Sequence, residues 1–354
     1  MAVATSPPRA RGRVVRLGGG VSLRVRRRPV VVSGLLVAVL AALFVVSLGT
    51  GDFSISPGGV IAALLGGGDD GTRFIVRDLR LPRAVCAVLV GVALAISGAV
   101  FQALTRNPLG SPDIVGFPQG ASVGALVVIT ILEGSGAAVA AGAIAGGAVT
   151  ALAVYGLAFQ RGGTSGYRII LIGVAISFLM LSLIDWLLAK ARIEDAQEAT
   201  RWLLGSLNNR GWDDVLPVAV VLAVLLPAMV PATRTLRVLE LGDDSASGLG
   251  VRVERARLGL VAIAVGLVSI TTVAVGPVGF VALTAPQIAR RLARSAGPPI
   301  VASALTGAVV VLGSDVAAQR LIPSTPVPVG VMTGTFGGLY LAWLLTMEWR
   351  SGRR

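Results

Sequence analysis

Long apolar runs alternate with short polar segments along the whole chain. A hydrocarbon core about 30 Å thick takes roughly twenty apolar residues per helical span, and fewer where a helix is broken or enclosed by protein. On that measure residues 30–48 form a first span, 84–104 a second, 120–132 a short third, 137–159 a fourth and 169–189 a fifth. Residues 215–230 are the sixth and 258–275 the seventh, while 277–289 is a short eighth interrupted by Pro277, Gly279 and Pro286. Residues 300–318 and 327–347 complete the set. The pattern predicts an all-α, polytopic membrane protein of about ten transmembrane helices. Ser56 followed by Pro57 marks the start of a short surface helix over 56–65. Residues 192–214 form a polar, partly helical loop.

One polar stretch is too long to be a connector. Residues 232–257, ATRTLRVLELGDDSASGLGVRVERAR, lie between the sixth and seventh spans. Their pattern predicts two short helices with a break between them. Thr233 and Asp243 are the expected N-caps, and Gly242, Gly248 and Gly250 the expected left-handed ends. Leu236, Leu239, Leu241, Ala246 and Leu249 offer an apolar face between charges, as in a segment that docks into a partner. A solvated loop is the plain alternative.

Composition sharpens the class. Of 354 residues 54% are hydrophobic and 14% charged, where soluble domains carry about a quarter charged residues. Forty-six glycines suit close approach of membrane helices. The net charge of +13 resides mostly in arginines flanking apolar runs, which fits lipid headgroups rather than nucleic acid. With a cytoplasmic N-terminus the inside segments hold 22 of the 31 Lys and Arg residues. That positive-inside bias puts both termini and the polar island in the cytoplasm. Residues 1–29, with eight arginines, are expected to be a disordered, lipid-touching arm. No small-residue cleavage site closes the following apolar run, so the first helix is expected to stay uncleaved. A membrane domain over 30–349 and a cytoplasmic tail over 350–354 complete the division. Cys86 is the single cysteine and histidine is absent, so no disulfide, thiolate metal site or histidine base is expected, and no bound cofactor or metal.

The most specific text spans residues 80–121, RLPRAVCAVLVGVALAISGAVFQALTRNPLGSPDIVGFPQGA. RLPR is a cationic collar at the outer end of a span. Gly91, Ala95, Ser97, Gly98 and Ala99 make a small-residue face for close helix approach. NPLGSPD is a rigid inner turn, because its two prolines fix φ and bar regular helix. Gln102 and Gln287 are expected to bond between helices. Asp185 and Asp315 sit near outer span ends, with Gln319 one turn beyond Asp315.

These motifs resemble a known family. RLPR followed by GxxLAxSGxxxQxxxRNPLGSPDxxGFxxGA is similar to the signature of the FecCD-type, BtuC-like permeases, the membrane subunits of bacterial type II ABC importers for iron–siderophore, haem and cobalamin. RWLLGSLNNRGW, LGDDSASGLGVRVERAR, GPVGFVALTAPQIARRL and PVGVMTGTFGGLYLAWLL resemble further blocks of the same family in the same order. NPLGSPDxxGF, LGDD with VERxRL, and GGLYLxxLL look most like permease subunits for ferric enterobactin, a catecholate siderophore. Two positions depart from the pattern: Gln287 stands where the family has His, and Pro326 where it has Glu.

The resemblance implies a transporter subunit rather than an enzyme. Lys190 is the single lysine and no GxxxxGK[ST] sequence occurs, so ATP and Mg would be handled by a separate ATPase. The implied ATPase-coupling residues are Leu239, Glu240, Leu241, Gly242, Asp243, Asp244, Leu249 and Gly250, with the leucines filling a groove and the acids making polar contacts. Arg80, Arg83 and Arg320 would receive an extracytoplasmic binding protein, and Asn107 and Leu109 would lie near the inner gate. Implied partners are a second permease, identical or homologous, two ATPase copies and that binding protein. Haem or cobalamin cargo is the alternative within the family. A proton-coupled secondary transporter would want buried acids or His in relay positions, and an intramembrane enzyme a nucleophile–base pair; the sequence offers neither.

Overall fold

The computed structural model describes residues 13–17, 21–25, 27–51, 53–160, 164–295, 297–321 and 327–351. Expectations about residues 1–12, Pro326 and residues 352–354 lie outside them. The chain forms a hairpin of β1 (Arg13–Leu17) and β2 (Val21–Val25), then a helical bundle. Its first helices are α1 (Arg27–Gly49), α2 (Pro57–Leu65), α3 (Asp70–Phe74), α4 (Leu81–Thr105), α5 (Phe117–Thr130), α6 (Ala137–Ala158) and α7 (Gly166–Lys190). The rest are α8 (Ile193–Leu203), α9 (Trp212–Leu239), α10 (Asp243–Gly248), α11 (Val253–Val275), α12 (Val281–Ala293), α13 (Ile300–Leu321) and α14 (Val329–Ser351). Among the described residues eight helical stretches are long and apolar enough to cross a membrane. The short apolar helix α5, of 14 residues, brings the total to nine, close to the expected ten, while α12, of 13 residues, is amphipathic and carries Arg290 and Arg291 in its last turn. At 1.5 Å per residue each covers about 20 Å, so it spans only with protein around its ends.

Helix ends follow local chemistry. The Ser56 hydroxyl accepts from the Gly59 N–H at 3.2 Å, Pro57 opens α2, and Gly66 closes it at φ 97°. The hydroxyl supplies a partner for a first-turn donor that the helix cannot satisfy. Between α3 and α4 the helix widens into a π-helical segment, Ile75–Arg80, so that Asp70–Thr105 runs as one helical stretch.

α4 is the centre of the bundle, packed by α13, α11, α12 and α9. Water-driven burial does not hold helices together in lipid; close packing and interhelical hydrogen bonds do. A Cβ on Gly91 would lie 2.3 Å from the Gly307 carbonyl oxygen, and one on Gly98 would lie 1.7 Å from that of Ala282. Backbone therefore touches backbone at both crossings. Pro286 lacks the N–H that would donate to Ala282 four residues earlier, so the carbonyl facing Gly98 is one that the helix leaves free. The Ser97 hydroxyl donates to the Ala264 carbonyl at 2.7 Å, and Gln102 Nε2 to that of Leu283 at 2.9 Å.

Three expectations need correcting. The basic arm is not structureless, since β1 and β2 pair antiparallel from Arg13↔Val25 to Leu17↔Val21. Runs rich in Val and Leu around three glycines favour a hairpin. The eighth span is shifted to Val281–Ala293, because Gly276 at φ 77° ends α11 and Phe280 at φ 68° sets the entry to α12. The polar island holds one short helix rather than two. α9 continues past Pro231 to Leu239, so Thr233 is mid-helix and its hydroxyl donates to the Met229 carbonyl at 2.7 Å. Gly242 (φ 109°) rather than Asp243 precedes α10; Gly250 (φ 82°) has the expected left-handed sign and Gly248 lies inside the helix.

Gly98→Ala is expected to destabilise the detergent-purified protein by about 1–3 kcal/mol, the usual cost of overpacking. Gly34→Ala, whose added methyl meets no atom within 4 Å, should leave the thermal midpoint unchanged in the same measurement.

Candidate functional site

At one end of the bundle the polar island and the proline elbow are braced against each other. The Asp243 carboxylate accepts from Arg257 Nη2 at 3.0 and 2.9 Å, and from Arg106 Nη2 at 2.8 Å. Arg106 is the left-handed residue that ends α4 (φ 50°), so the head of α10 is tied to the start of the elbow. Arg257, on the first turns of α11, is 3% exposed. Its Nη1 also donates to the carbonyl and the hydroxyl of Thr164, just before α7. Glu254 accepts from the Tyr155 hydroxyl on α6 and from the N–H (3.2 Å) and hydroxyl (2.9 Å) of Thr164. Buried charge is tolerated only when paired and hydrogen-bonded, and this network supplies both.

The island presents a different face outward. Leu241 and Leu249 are each 65% exposed, flanking α10, with Asp244 exposed beside them. Leu239 is corrected from an exposed contact to a core residue at 3% exposure, packed with Leu236 and Ala246. Continued helix turns it inward. Glu240 is half-buried with Arg290 at 3.7 Å, and burial pushes its carboxyl up against the opposing pull of Arg290 and Arg237.

The elbow is an Asx turn. Asn107 Oδ1 accepts from the Leu109 N–H at 2.9 Å, and the Gly110 N–H donates to the Asn107 carbonyl at 3.0 Å. Leu109 is exposed and Asn107 half-buried. Gln287 Nε2 on α12 donates to the Pro108 carbonyl at 2.7 Å and to Gln102 Oε1 at 3.0 Å, the interhelical bonding expected of this pair. Asp113, at the far end of the elbow, accepts from the Phe280 N–H at 3.3 Å and has its other oxygen buried without a partner. Burial pushes its carboxyl up to about 7, opposed by that one backbone bond.

The arginines expected at the opposite end hold helix ends together. Arg80 donates to the Leu48 carbonyl at 2.9 Å and to that of Phe53 at 2.6 Å, tying down the exit of α1. Arg83 forks onto Asp315, with Nη2 2.7 Å from Oδ1 and Nε 3.1 Å from Oδ2; Asp315 is fully buried and also accepts from Gln319 at 2.8 Å. Arg320 is the exposed member and donates to Thr50 at 3.0 Å. Asp185 is exposed. The structure thus brings the coupling and elbow residues together and sets the three arginines apart. Sequence reasoning missed Arg106, Arg257 and Asp113; only the i, i+3 spacing of Glu254 and Arg257 hinted at part of it.

Comparison with known proteins fits this architecture. The model of the FecCD transport family matches residues 39–347. The chain belongs to the FecCD transport family. It is 41% identical to the ferric enterobactin transport system permease protein of Escherichia coli (strain K12), over 92% of this chain and 98% of that one. It is 35% identical to the Fe(3+)-citrate import system permease protein of Bacillus subtilis (strain 168), again over 92% and 98%. Among solved structures, an inward-facing metal-chelate type ABC transporter aligns with a TM-score of 0.79 at 27% identity, covering 90% of this chain and 99% of that one. This FecCD member is therefore a multi-span membrane transporter rather than an enzyme. Among its described residues no group of three or more His, Cys, Asp or Glu could hold a metal.

A carboxyl whose folded value lies above its unfolded one binds its proton more tightly in the fold. Asp113 therefore adds stability below about pH 4 and loses it as pH rises towards 7. The slope of thermal stability over that window should flatten in Asp113→Asn, followed in detergent across a pH series.

Proposed function

We propose that this chain is the permease subunit of an ATP-driven importer carrying a ferric siderophore of the enterobactin type across the bacterial cytoplasmic membrane. The 41% identity to the ferric enterobactin permease along nearly both chains carries this reading. Both termini and α10 face the cytoplasm, in keeping with the arginine bias. Iron crosses as an intact chelate, which suits a chain whose described acids are paired or scattered rather than clustered. A second permease, identical or homologous, completes the pathway, and Asn107 and Leu109 stand at its inner end. Two copies of a separate ATPase bind ATP and Mg and seat against α10. Leu241 and Leu249 enter the ATPase groove while Glu240, Asp244 and the backbone at Gly242 and Gly250 border it. Asp243 holds α10 to the elbow and α11, so that force on the helix reaches both. At the outer face Arg320 is the exposed cation for an acidic surface of the binding protein, with Arg80 and Arg83 shaping the rim beside it.

Co-expressed with its neighbouring ATPase, partner permease and binding protein, the chain should support ATP-dependent uptake of ferric enterobactin into vesicles. Uptake of haem or cobalamin with no ferric catecholate would overturn the reading. Leu241→Glu with Leu249→Glu should abolish uptake and ATPase association while the thermal midpoint holds, because both side chains stand in solvent.

The two outer arginines should separate in a second pair of measurements. Arg320→Glu should weaken binding-protein association at unchanged stability. Arg83→Glu should instead cost about 3–5 kcal/mol, since it leaves Asp315 buried beside a like charge.

A further inference from the structure

A cavity of about 1250 Å³ opens between α1 and α9, floored by α4 and closed on one side by the start of α13. Its deeper walls are apolar: Val92 and Ile96 of α4, Leu226 of α9, and Leu305 of α13. The mouth is apolar as well, with Val30, Val230 and Val301 of its lining each more than half exposed. Such a mouth faces hydrocarbon rather than water. At the end shared with the polar island the lining becomes cationic. Arg237 and Arg290 line it, together with Glu240, which faces Arg290 at 3.7 Å. Arg106 also lines it but is engaged by Asp243. Arg237 is exposed, and its stem lies over Gly297. Arg290 has a buried Nε without a hydrogen-bond partner. One carboxylate thus faces two guanidinium groups, and the rim carries net positive charge.

The depth of the cavity fits one leaflet. Along α4 the lining runs from Val92 to Arg106, about 21 Å at the helical rise. Half of a bilayer of 40–45 Å, headgroups included, is about 20–22 Å. We infer that this cavity is a binding site for one anionic glycerophospholipid of the inner leaflet, its acyl chains lying along α4 between α1 and α9 and its phosphate on Arg237 and Arg290. The occupant is neither cargo nor a free anion: apolar walls reject a solvated ion, and the mouth opens to the bilayer. A lipid there would wedge α9 where it runs into α10, so its presence bears on the rigidity of the island.

The test uses the full-length chain purified in a mild detergent and delipidated. Native mass spectrometry and thermal midpoints are recorded with phosphatidylglycerol, with phosphatidylcholine and with inorganic phosphate. Phosphatidylglycerol should be retained in preference to phosphatidylcholine and raise the midpoint, and phosphate alone should do nothing. Arg237→Gln with Arg290→Gln should weaken phosphatidylglycerol retention roughly tenfold or more, at about 1 kcal/mol per interfacial arginine, without affecting phosphatidylcholine. Arg237→Gln alone, at an exposed side chain, gives the same direction should the double variant fold poorly. Ala304→Trp, which fills the cavity, should reduce retention of both lipids, while Arg234→Gln, outside the lining, changes neither. Equal retention of the two lipids, an unaltered arginine variant, or stabilisation by phosphate alone would each overturn the assignment.

Discussion

The carboxylate of Asp243 is shared between Arg257, buried at the head of α11, and Arg106, at the left-handed end of α4. Much of that end of the bundle follows from this sharing. Arg257 cannot be buried at 3% exposure without anionic and carbonyl partners, and it finds them in Asp243, Glu254 and Thr164. Those partners come from α10, from α11 itself and from the approach to α7. One guanidinium thereby fixes where three separate pieces of chain must meet. A helix of six residues such as α10 is too short to be stable alone, and this ion pair, with Ala246 buried beneath it, is what gives it a place.

The opposite end uses the same residue type for a different purpose. Arg77 and Arg80 donate to carbonyls that the ends of α2 and α1 leave open, and Arg320 donates to the Thr50 hydroxyl just beyond α1. Arg83 goes further and neutralises an acid that the bundle has buried completely. That end is held together by arginine bonds; at the other end Leu241 and Leu249 stand in solvent. Exposed apolar side chains of that size, bordered by acids and glycine, have little to do in an isolated chain.

Periodicity in the sequence was enough for the eight long spans and the short α5, because lipid forces each backbone polar group to be satisfied within its helix and so imposes a minimum length. The Ser56–Pro57 start, the Gln102–Gln287 contact and the Asp315–Gln319 contact were legible too, since each is local or joins two rare polar residues in apolar text. The island was read correctly as more than a loop but wrongly as two helices. The N-cap signal at Thr233 competes with the simple continuation of α9, and a threonine hydroxyl bonded to the preceding turn removes the need for a break. Leu239 and Leu241 are two residues apart and face opposite ways, a distinction that depends on where α9 stops. Arg106 and Arg257 were missed because their partner is far away in sequence, and nothing local marks which of many arginines is buried.

α12 explains why the elbow matters. Its entry residue Phe280 donates to Asp113 at one end of the elbow, and Gln287 reaches Pro108 at the other. Its Pro286 frees the carbonyl against which Gly98 packs. The elbow is therefore gripped twice by α12 and once, through Arg106, by Asp243. The crossing of α4 over α12 and α13 is backbone on backbone and has no slack to absorb movement. A displacement of α10 then cannot be taken up inside α4; it has to appear in the elbow, where Asn107 and Leu109 lie, and in α12. The rigid crossing thus ties α10, the elbow and α12 into one connected unit.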